Sequence, residues 1–206
     1  MDIFTTYSVR INRFTRIFQD TVNWYRRSVD FFIRVILLEK EELFRLRTQT
    51  ERVNAVEKLT VITSGRPEVK YDFGKEFYKF PSYYRRAAIA EALGSVSSYL
   101  SRLKTWEKED PRSREKEPGT PKAGFTCPAL YKKGCYVRLT DYTAGIKVWV
   151  RNTWDWVTVS LRKSDADYTW IRSFSNTWIL PERRKDLRNR GSISGRLSMY
   201  LSLIHI

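Results

Sequence analysis

The chain has 206 residues, 42% of them hydrophobic and 15% aromatic, which is enough for one domain or for a large domain with a smaller one. Its 38 Lys and Arg residues outnumber 23 Asp and Glu residues and give a formal net charge of +15, which favours nucleic acid first and an anionic membrane surface second as a partner. No apolar run approaches the roughly 20 residues that span a bilayer, and the first ten residues lack a signal-peptide layout, so we expect a cytoplasmic protein with no membrane partner.

The first half of the chain is predicted to form helices after a short opening strand. Polar and apolar residues alternate over Thr5–Ile11, which is the period of a strand. Apolar residues then recur every three or four positions from Phe14 to Arg47, and this spacing predicts one long amphipathic helix. A shorter helix is predicted over Glu51–Thr63, because the turn sequence SGRP follows it.

A second long helix is predicted to begin at Pro81 and Ser82, after residues 70–80, which are aromatic and basic but follow no regular period. Ser82 is the candidate N-cap, since serine oxygens accept hydrogen bonds from the first free backbone N–H groups of a helix. Gly94 falls inside this helix and costs about 1 kcal/mol relative to alanine, which a close helix–helix contact would explain. The apolar stripe of the helix consists of Ile89, Leu93, Val96, Leu100, Leu103 and Trp106.

The second half is predicted to be rich in strands. Residues 104–122 contain three prolines among many charges and are interpreted as a linker. One or two short strands are expected over Cys127–Leu139. The runs IKVWVR and WVTVSLR within Ile146–Arg162 alternate strictly, which predicts a β-hairpin with a four-residue connection over Asn152–Asp155.

The predicted hairpin has one aliphatic face and one basic, aromatic face. Tryptophan can stack on bases while Lys and Arg neutralise phosphates. The alternative is an ordinary hairpin whose outer face only meets water, and this stretch by itself leaves both interpretations open. The inward residues are Ile146, Val148, Val150, Val157, Val159 and Leu161. The outward residues include Lys147, Trp149, Arg151, Trp156 and Arg162.

Arginines recur along the first predicted helix. Either they form a solvated basic face or they lie along a nucleic-acid backbone. Those chosen as candidate phosphate contacts are Arg13, Arg16, Arg26 and Arg27.

Catalytic and metal-binding motifs are absent from the sequence. There is no glycine-rich phosphate loop and no nucleophile motif. Cys127 and Cys135 are too few for a four-thiolate zinc site, and the one histidine, His205, lies next to the last residue. Asp165 and Asp167 are two residues apart, but this pattern is common on protein surfaces. We therefore expect no cofactor and no metal.

The sequence resembles a known family over roughly Thr5 to Tyr168. The resemblance rests on the opening strand, the inserted helices, the helix start FPSYYRR at residues 80–86, the Pro- and Lys-containing linker and the paired strands, all in one order. This order is similar to the N-terminal half of the TnpB/OrfB transposases of IS200/IS605-type elements, which are relatives of the compact Cas12 nucleases.

The resemblance implies a small antiparallel β-barrel of the wedge type with an inserted helical bundle, an α+β fold. The partners would be a guide RNA and its heteroduplex with target DNA, whose sequence is read by base pairing while the protein supplies charge and shape. The helix start adds Tyr83, Tyr84, Arg85 and Arg86 to the candidate nucleic-acid-binding residues. The implied domains are a first strand at 1–13, a helical recognition domain at 14–110, a linker at 111–124 and the rest of the barrel at 125–168.

The chain departs from the family pattern in lacking the RuvC-like domain and the zinc ribbon. No catalytic residue is therefore carried over, and we expect this chain not to be an enzyme. Residues 169–206 lose the alternation and form an irregular basic tail, interpreted as the frameshifted end of a truncated gene. The expected function is that of a nucleic-acid-binding fragment of an RNA-guided nuclease. A complete small RNA- or DNA-binding regulator and a basic structural module are the alternatives.

Overall fold

The fold is α+β, with five helices and an antiparallel three-stranded sheet in the part that the structure describes. The structure is a computed structural model, and it describes residues 9–109, 116–124, 126–130 and 134–163. The helices are α1 (Arg16–Leu38), α2 (Lys40–Arg45), α3 (Gln49–Thr60), α4 (Phe73–Glu76) and α5 (Ser82–Lys108). The strands are β1 (Tyr136–Arg138), β2 (Thr143–Val150) and β3 (Thr153–Ser160). None of the described helices is both long enough and apolar enough to cross a bilayer.

The chain divides into two compact units. The sheet unit takes in the described residues of Met1–Phe18, of Ala129–Val148 and of the chain from Asp155 onward. The helical unit takes in those of Gln19–Pro128, together with the hairpin tip Trp149–Trp154. The predicted tail at 169–206 lies outside the described residues.

The predicted single helix over 14–47 is wrong, because Glu39 separates α1 from α2. The backbone of Glu39 has φ −105° and ψ 15°, away from the helical region. Its carboxylate is only 9% exposed and accepts hydrogen bonds from Nζ of Lys70 at 2.5 Å and from the hydroxyl of Tyr71 at 2.6 Å. The bond from Lys70, and then that from Tyr71, hold the pKa of Glu39 below its ordinary value of 4.5. The helix therefore breaks where a buried carboxylate meets two partners from a distant segment.

The helices α3 and α5 begin in different ways. Thr48 and Glu51 form a reciprocal capping box at the start of α3, in which each side chain accepts from the other residue's backbone N–H. The predicted cap at Ser82 is wrong: Pro81 occupies the N-cap position, Ser82 is the first helical residue, and no side chain caps the helix. The expected close contact at Gly94 is also wrong, because a methyl group there would meet nothing within 4 Å.

The strands form an open sheet in the order β1-β2-β3. Tyr136 pairs with Ile146 and Arg138 with Ala144 between antiparallel β1 and β2. Ile11 forms an isolated bridge to Leu161, so the described end of the predicted opening strand runs beside the end of β3, while residues 5–8 lie outside the described part. No closed barrel is formed by the residues that the structure describes.

The predicted four-residue connection of the hairpin is wrong, because β2 and β3 are joined by Arg151 and Asn152 alone. Both residues have positive φ, 48° and 59°, which is the requirement of a two-residue type I′ turn. Asparagine tolerates this conformation well, whereas arginine seldom adopts it.

The predicted aliphatic face of the hairpin is confirmed in the core of the sheet unit except at Val150, which is half-buried and does not belong to that core. Val148 is fully buried, and Ile146, Val159 and Leu161 are at most 5% exposed. They pack with Val9, Phe18, Tyr136 and Ala144 in one cluster, and Val157 packs against its edge. Period-two alternation thus identified the buried side of both strands.

Candidate nucleic-acid interface

An exposed tryptophan on the outer side of the sheet lies over a glycine. A methyl group built on Gly145 would stand 3.5 Å from Cε3 of Trp156 and 2.8 Å from Cγ1 of Val137. Because Gly145 has no side chain, the indole ring can lie close to the backbone of β2. Trp156 is nevertheless 40% exposed, so much of the ring remains open to solvent.

A lysine ammonium lies over this ring. Nζ of Lys147 lies 5.7 Å from the ring centroid of Trp156, within the range of a cation–π interaction. Thr158 is exposed, and it projects on the same side of β3 as Trp156 because it is two residues further along the strand. We define the outer sheet face as Val137, Gly145, Lys147, Trp156 and Thr158. It presents an exposed aromatic ring with a positive charge over it.

A second aromatic residue with a neighbouring cation occurs at the end of the sheet. Tyr142 is 37% exposed, and Nζ of Lys163 lies 5.5 Å from its ring centroid. Arg162 is also exposed, and its backbone N–H donates to the carbonyl of Arg10 at 2.8 Å. The sheet unit therefore combines exposed rings and basic side chains at more than one position.

Trp149 does not belong to the outer sheet face, so its predicted role as a stacking residue beside Trp156 is corrected. Its ring packs 4.8 Å from that of Trp24 and 5.5 Å from that of Trp154, measured between centroids. Its backbone N–H donates to the buried hydroxyl of Thr21 at 2.8 Å. Three large aromatic rings stabilise the helical unit by packing together, so Trp149 has a structural role.

Tyr84 is also corrected as a nucleic-acid contact, because it is completely buried. Its ring packs 5.4 Å from that of Trp154 and 6.3 Å from that of Tyr25. The neighbouring Tyr83 is 47% exposed and remains accessible. On helix α5, therefore, only the first tyrosine of this pair can meet a ligand.

Arg85 and Arg86 share one carboxylate. Nη2 of Arg85 lies 3.3 Å from Oε1 of Glu57, and Nη1 of Arg86 lies 2.5 Å from Oε2. Arg86 also donates to Asn54 at 3.1 Å. These bonds join α5 to α3. Because two guanidinium groups face one carboxylate, a positive charge remains at this contact.

The arginines of α1 do not form one free basic face. Nε of Arg26 donates to the carbonyl of Thr126 at 3.1 Å. Arg27 lies 3.3 Å from a carboxylate oxygen of Glu76, and its guanidinium lies 4.5 Å from the ring centroid of Trp24. The remaining predicted contacts are exposed and are spread over the chain: Arg13, Arg16 and Arg151.

The sequence reasoning missed Gly145 as part of the interface. The available signal was a glycine inside a β-branched strand, which often marks a place where another group approaches the backbone closely. That signal does not say which group approaches. The contact with Trp156 depends on the two-residue turn, which the sequence reasoning placed wrongly.

The protein's relationships follow from its comparison with known proteins. The model of the Aq_aa04 family matches residues 5–150, which is more than half of the chain. The chain belongs to the Aq_aa04 family. A member of that name, the uncharacterized protein aq_aa04 of Aquifex aeolicus, is 32% identical to it over 123 residues, which are 53% of this chain and 68% of the relative. No solved structure matches the chain.

Across the described ranges, no three His, Cys, Asp or Glu side chains come together in a way that could hold a metal ion. Asp165 and Asp167 lie outside those ranges.

Proposed function

We propose that this protein binds single-stranded RNA or DNA on the outer sheet face. A base stacks on Trp156, and the ammonium of Lys147 contacts a neighbouring phosphate. The observation that carries the proposal is the exposed indole ring held close to Gly145 with a lysine ammonium over it. Aromatic rings on a basic sheet are a recurrent way to bind single strands, because every base has a face to stack.

The environments of the tryptophans support this choice of residue. The ring of Trp149 lies against two other aromatic rings, whereas that of Trp156 lies close to Gly145 and has the ammonium of Lys147 over it. A ring that stays 40% exposed leaves apolar area that a base can cover. The net charge of +15 attracts any nucleic acid to the protein over a longer range.

We further propose, from the resemblance described above, that the natural ligand is a guide RNA with its heteroduplex to target DNA, and that an unpaired base of this ligand meets Trp156. In this proposal the sheet is part of a wedge-type barrel, and the chain binds in the cytoplasm without cutting. The order of elements supports the wedge-type arrangement, because the helices lie in the sequence between two sheet-forming segments, at Ile11 and at Tyr136–Arg138. A non-catalytic RNA- or DNA-binding regulator uses the same surface and is the alternative.

The test is an anisotropy titration of labelled single-stranded RNA, single-stranded DNA and an RNA–DNA hybrid. Trp156→Ala is expected to weaken binding by about 1–3 kcal/mol, which is the usual loss when one stacking ring is removed. Thr158→Ala is the matched control, because it lies on the same face and strand but has no ring; it should leave the affinity unchanged. Equal affinities of the two variants would refute the role of Trp156. Preference for the hybrid over both single strands would favour the guide-RNA proposal over the regulator.

A further inference from the structure

Two arginines lie directly opposite each other where the sheet unit continues past the end of β3. The backbone N–H of Arg162 donates to the carbonyl of Arg10 at 2.8 Å, next to the bridge between Ile11 and Leu161. Side chains at opposite positions of neighbouring strands have their Cβ atoms about 5 Å apart. Both arginines are exposed, so two basic side chains leave the backbone side by side at the surface.

This pair lies on the same side of the sheet as Trp156. Residues at alternate positions of a strand face the same side. Along β3 and its continuation, every second residue from Trp156 to Arg162 is exposed. The residues between them belong to the core cluster of the sheet unit or pack against it: Val157, Val159 and Leu161. The sequence neighbours of Arg10, which are Val9 and Ile11, also pack in this cluster, so Arg10 faces the outer side as well.

The distance from Trp156 to the arginine pair suits a short single strand. Arg162 is six residues beyond Trp156, and six residues of an antiparallel strand span about 20 Å. A stacked nucleic-acid strand has one phosphate per about 3.4 Å, so about six nucleotides cover this length, and fewer do so when the strand is extended. The two exposed residues between them on β3, Thr158 and Ser160, carry no charge. A strand that stacks a base on Trp156 can therefore place a phosphate at the arginine pair.

One carboxylate lies beside the pair. The backbone N–H of Leu161 donates to the carbonyl of Tyr142 at 2.8 Å. Asp141 therefore lies next to Arg162, on the side away from Arg10, and it is exposed as well. The row of three side chains keeps an excess of one positive charge. Like charges at opposite positions of neighbouring strands repel each other, and a phosphate between two guanidinium groups offsets that repulsion.

We infer that Arg10 and Arg162 together bind a phosphate of the strand whose base stacks on Trp156. The strand then runs along β3 on the outer side of the sheet, over a length of about 20 Å. The inference rests on the strand binding proposed above and adds to it a second contact and a course along the sheet. Guanidinium groups suit this contact, because their planar N–H groups donate parallel hydrogen bonds to phosphate oxygens.

The test is an anisotropy titration of a labelled single-stranded thymidine decamer, about 34 Å long when stacked, at several salt concentrations. Arg10→Gln and Arg162→Gln should each weaken binding about two- to fivefold, as expected for one exposed charge. The double variant should reduce the slope of log affinity against log salt by about 0.7, which is the contribution of one phosphate of a single strand. Arg162→Lys keeps the charge and should retain the wild-type slope.

Arg45→Gln is the matched control, because Arg45 is an exposed arginine of α2 in the helical unit and its loss changes the net charge equally. It should leave both affinity and slope unchanged. If Arg10→Gln and Arg162→Gln bind the decamer as Arg45→Gln does, the inference is overturned. Trp156→Ala then separates the two proposals: a loss in that variant leaves strand binding by the outer sheet face standing, and no loss refutes both. Absence of decamer binding by the wild-type chain also refutes both.

Asp141→Asn should act in the opposite direction. Removing a negative charge beside the bound phosphate should strengthen binding of the decamer about two- to fivefold. Glu41→Gln, at an exposed position of α2, removes the same charge in the helical unit and should not strengthen binding. Equal affinities of these two variants would contradict the passage of a phosphate beside Arg162.

Discussion

Gly145→Ala should destabilise the protein, although replacing glycine in a strand usually stabilises it. The added methyl group would stand 2.8 Å from Cγ1 of Val137, whereas carbon atoms in good contact are about 3.5–4.0 Å apart. Val137 cannot easily move away, because its backbone pairs with that of Gly145 between β1 and β2. As a β-branched residue it also has few alternative rotamers.

The two opposing effects can be estimated. Overpacking of this kind costs about 1–3 kcal/mol. The alanine recovers about 0.5–1 kcal/mol, because it restricts the unfolded chain. The free energy of unfolding should therefore fall by about 1 kcal/mol. In a Val137→Ala background the clash is absent, so Gly145→Ala should raise the free energy of unfolding by about 0.5–1 kcal/mol.

Urea denaturation followed by far-ultraviolet circular dichroism measures both effects, since the midpoint reports stability at constant slope. Gly94→Ala is the matched control: its methyl group meets nothing within 4 Å, so it should stabilise by about 1 kcal/mol in either background. If Gly145→Ala stabilises the wild-type chain as much as Gly94→Ala does, the close approach at Gly145 is refuted.

Three further predictions concern the packed tryptophan, the buried carboxylate and the salt dependence of binding. Trp149→Ala should lower the free energy of unfolding by about 2 kcal/mol or more, because the ring of Trp149 packs against those of Trp24 and Trp154. Trp156→Ala should lower it by less, and equal urea midpoints of the two variants would contradict this. The lowered pKa of Glu39 adds stability above about pH 5, and this stability is lost as the pH falls through the folded-state pKa. The free energy of unfolding of the wild-type chain should therefore exceed that of Glu39→Gln by less below pH 4.5 than at pH 7, and a constant difference from pH 3 to 7 would refute this. If three phosphates are contacted, raising salt from 50 to 200 mM should weaken binding of single strands about 20-fold, and a flat response in the titration would remove the electrostatic part of the proposal.

The face of the hairpin could be predicted from the sequence, but its turn could not. Alternation with a period of two decides which residues are buried, and Val148 and Val159 are on the predicted side. The turn depends on Arg151 adopting positive φ, which its residue type does not suggest. A four-residue loop and a two-residue turn are equally compatible with the alternation of the strands.

The long helix shows why local periodicity is insufficient. The apolar spacing continues through Leu43, so the sequence alone favours a single helix. At the break, the side chain of Glu39 bonds to Lys70 and Tyr71, which are 31 and 32 residues further along the chain. Contacts between positions so far apart leave no local signal in the sequence.

The candidate site was predicted in part for the same reason. A basic, aromatic strand pattern led to Lys147 and Trp156, which do lie together. It also led to Trp149, whose packing against Trp24 requires knowledge of where α1 lies. Arginines such as Arg85 have the right charge for phosphate, but their partners appear only in the folded chain.

The binding of a strand to the outer sheet face can be observed directly at the indole N–H signals of the seven tryptophans. The signal of Trp156 is assigned by its loss in Trp156→Phe, and the signals of Trp24 and Trp149 are assigned by the same substitution at those positions. The wild-type chain is then titrated with a single-stranded oligonucleotide in low salt. We predict that the Trp156 signal shifts in a saturable way while the signals of Trp24 and Trp149 keep their positions. A Trp156 signal that does not move when the oligonucleotide is fully bound would contradict the account.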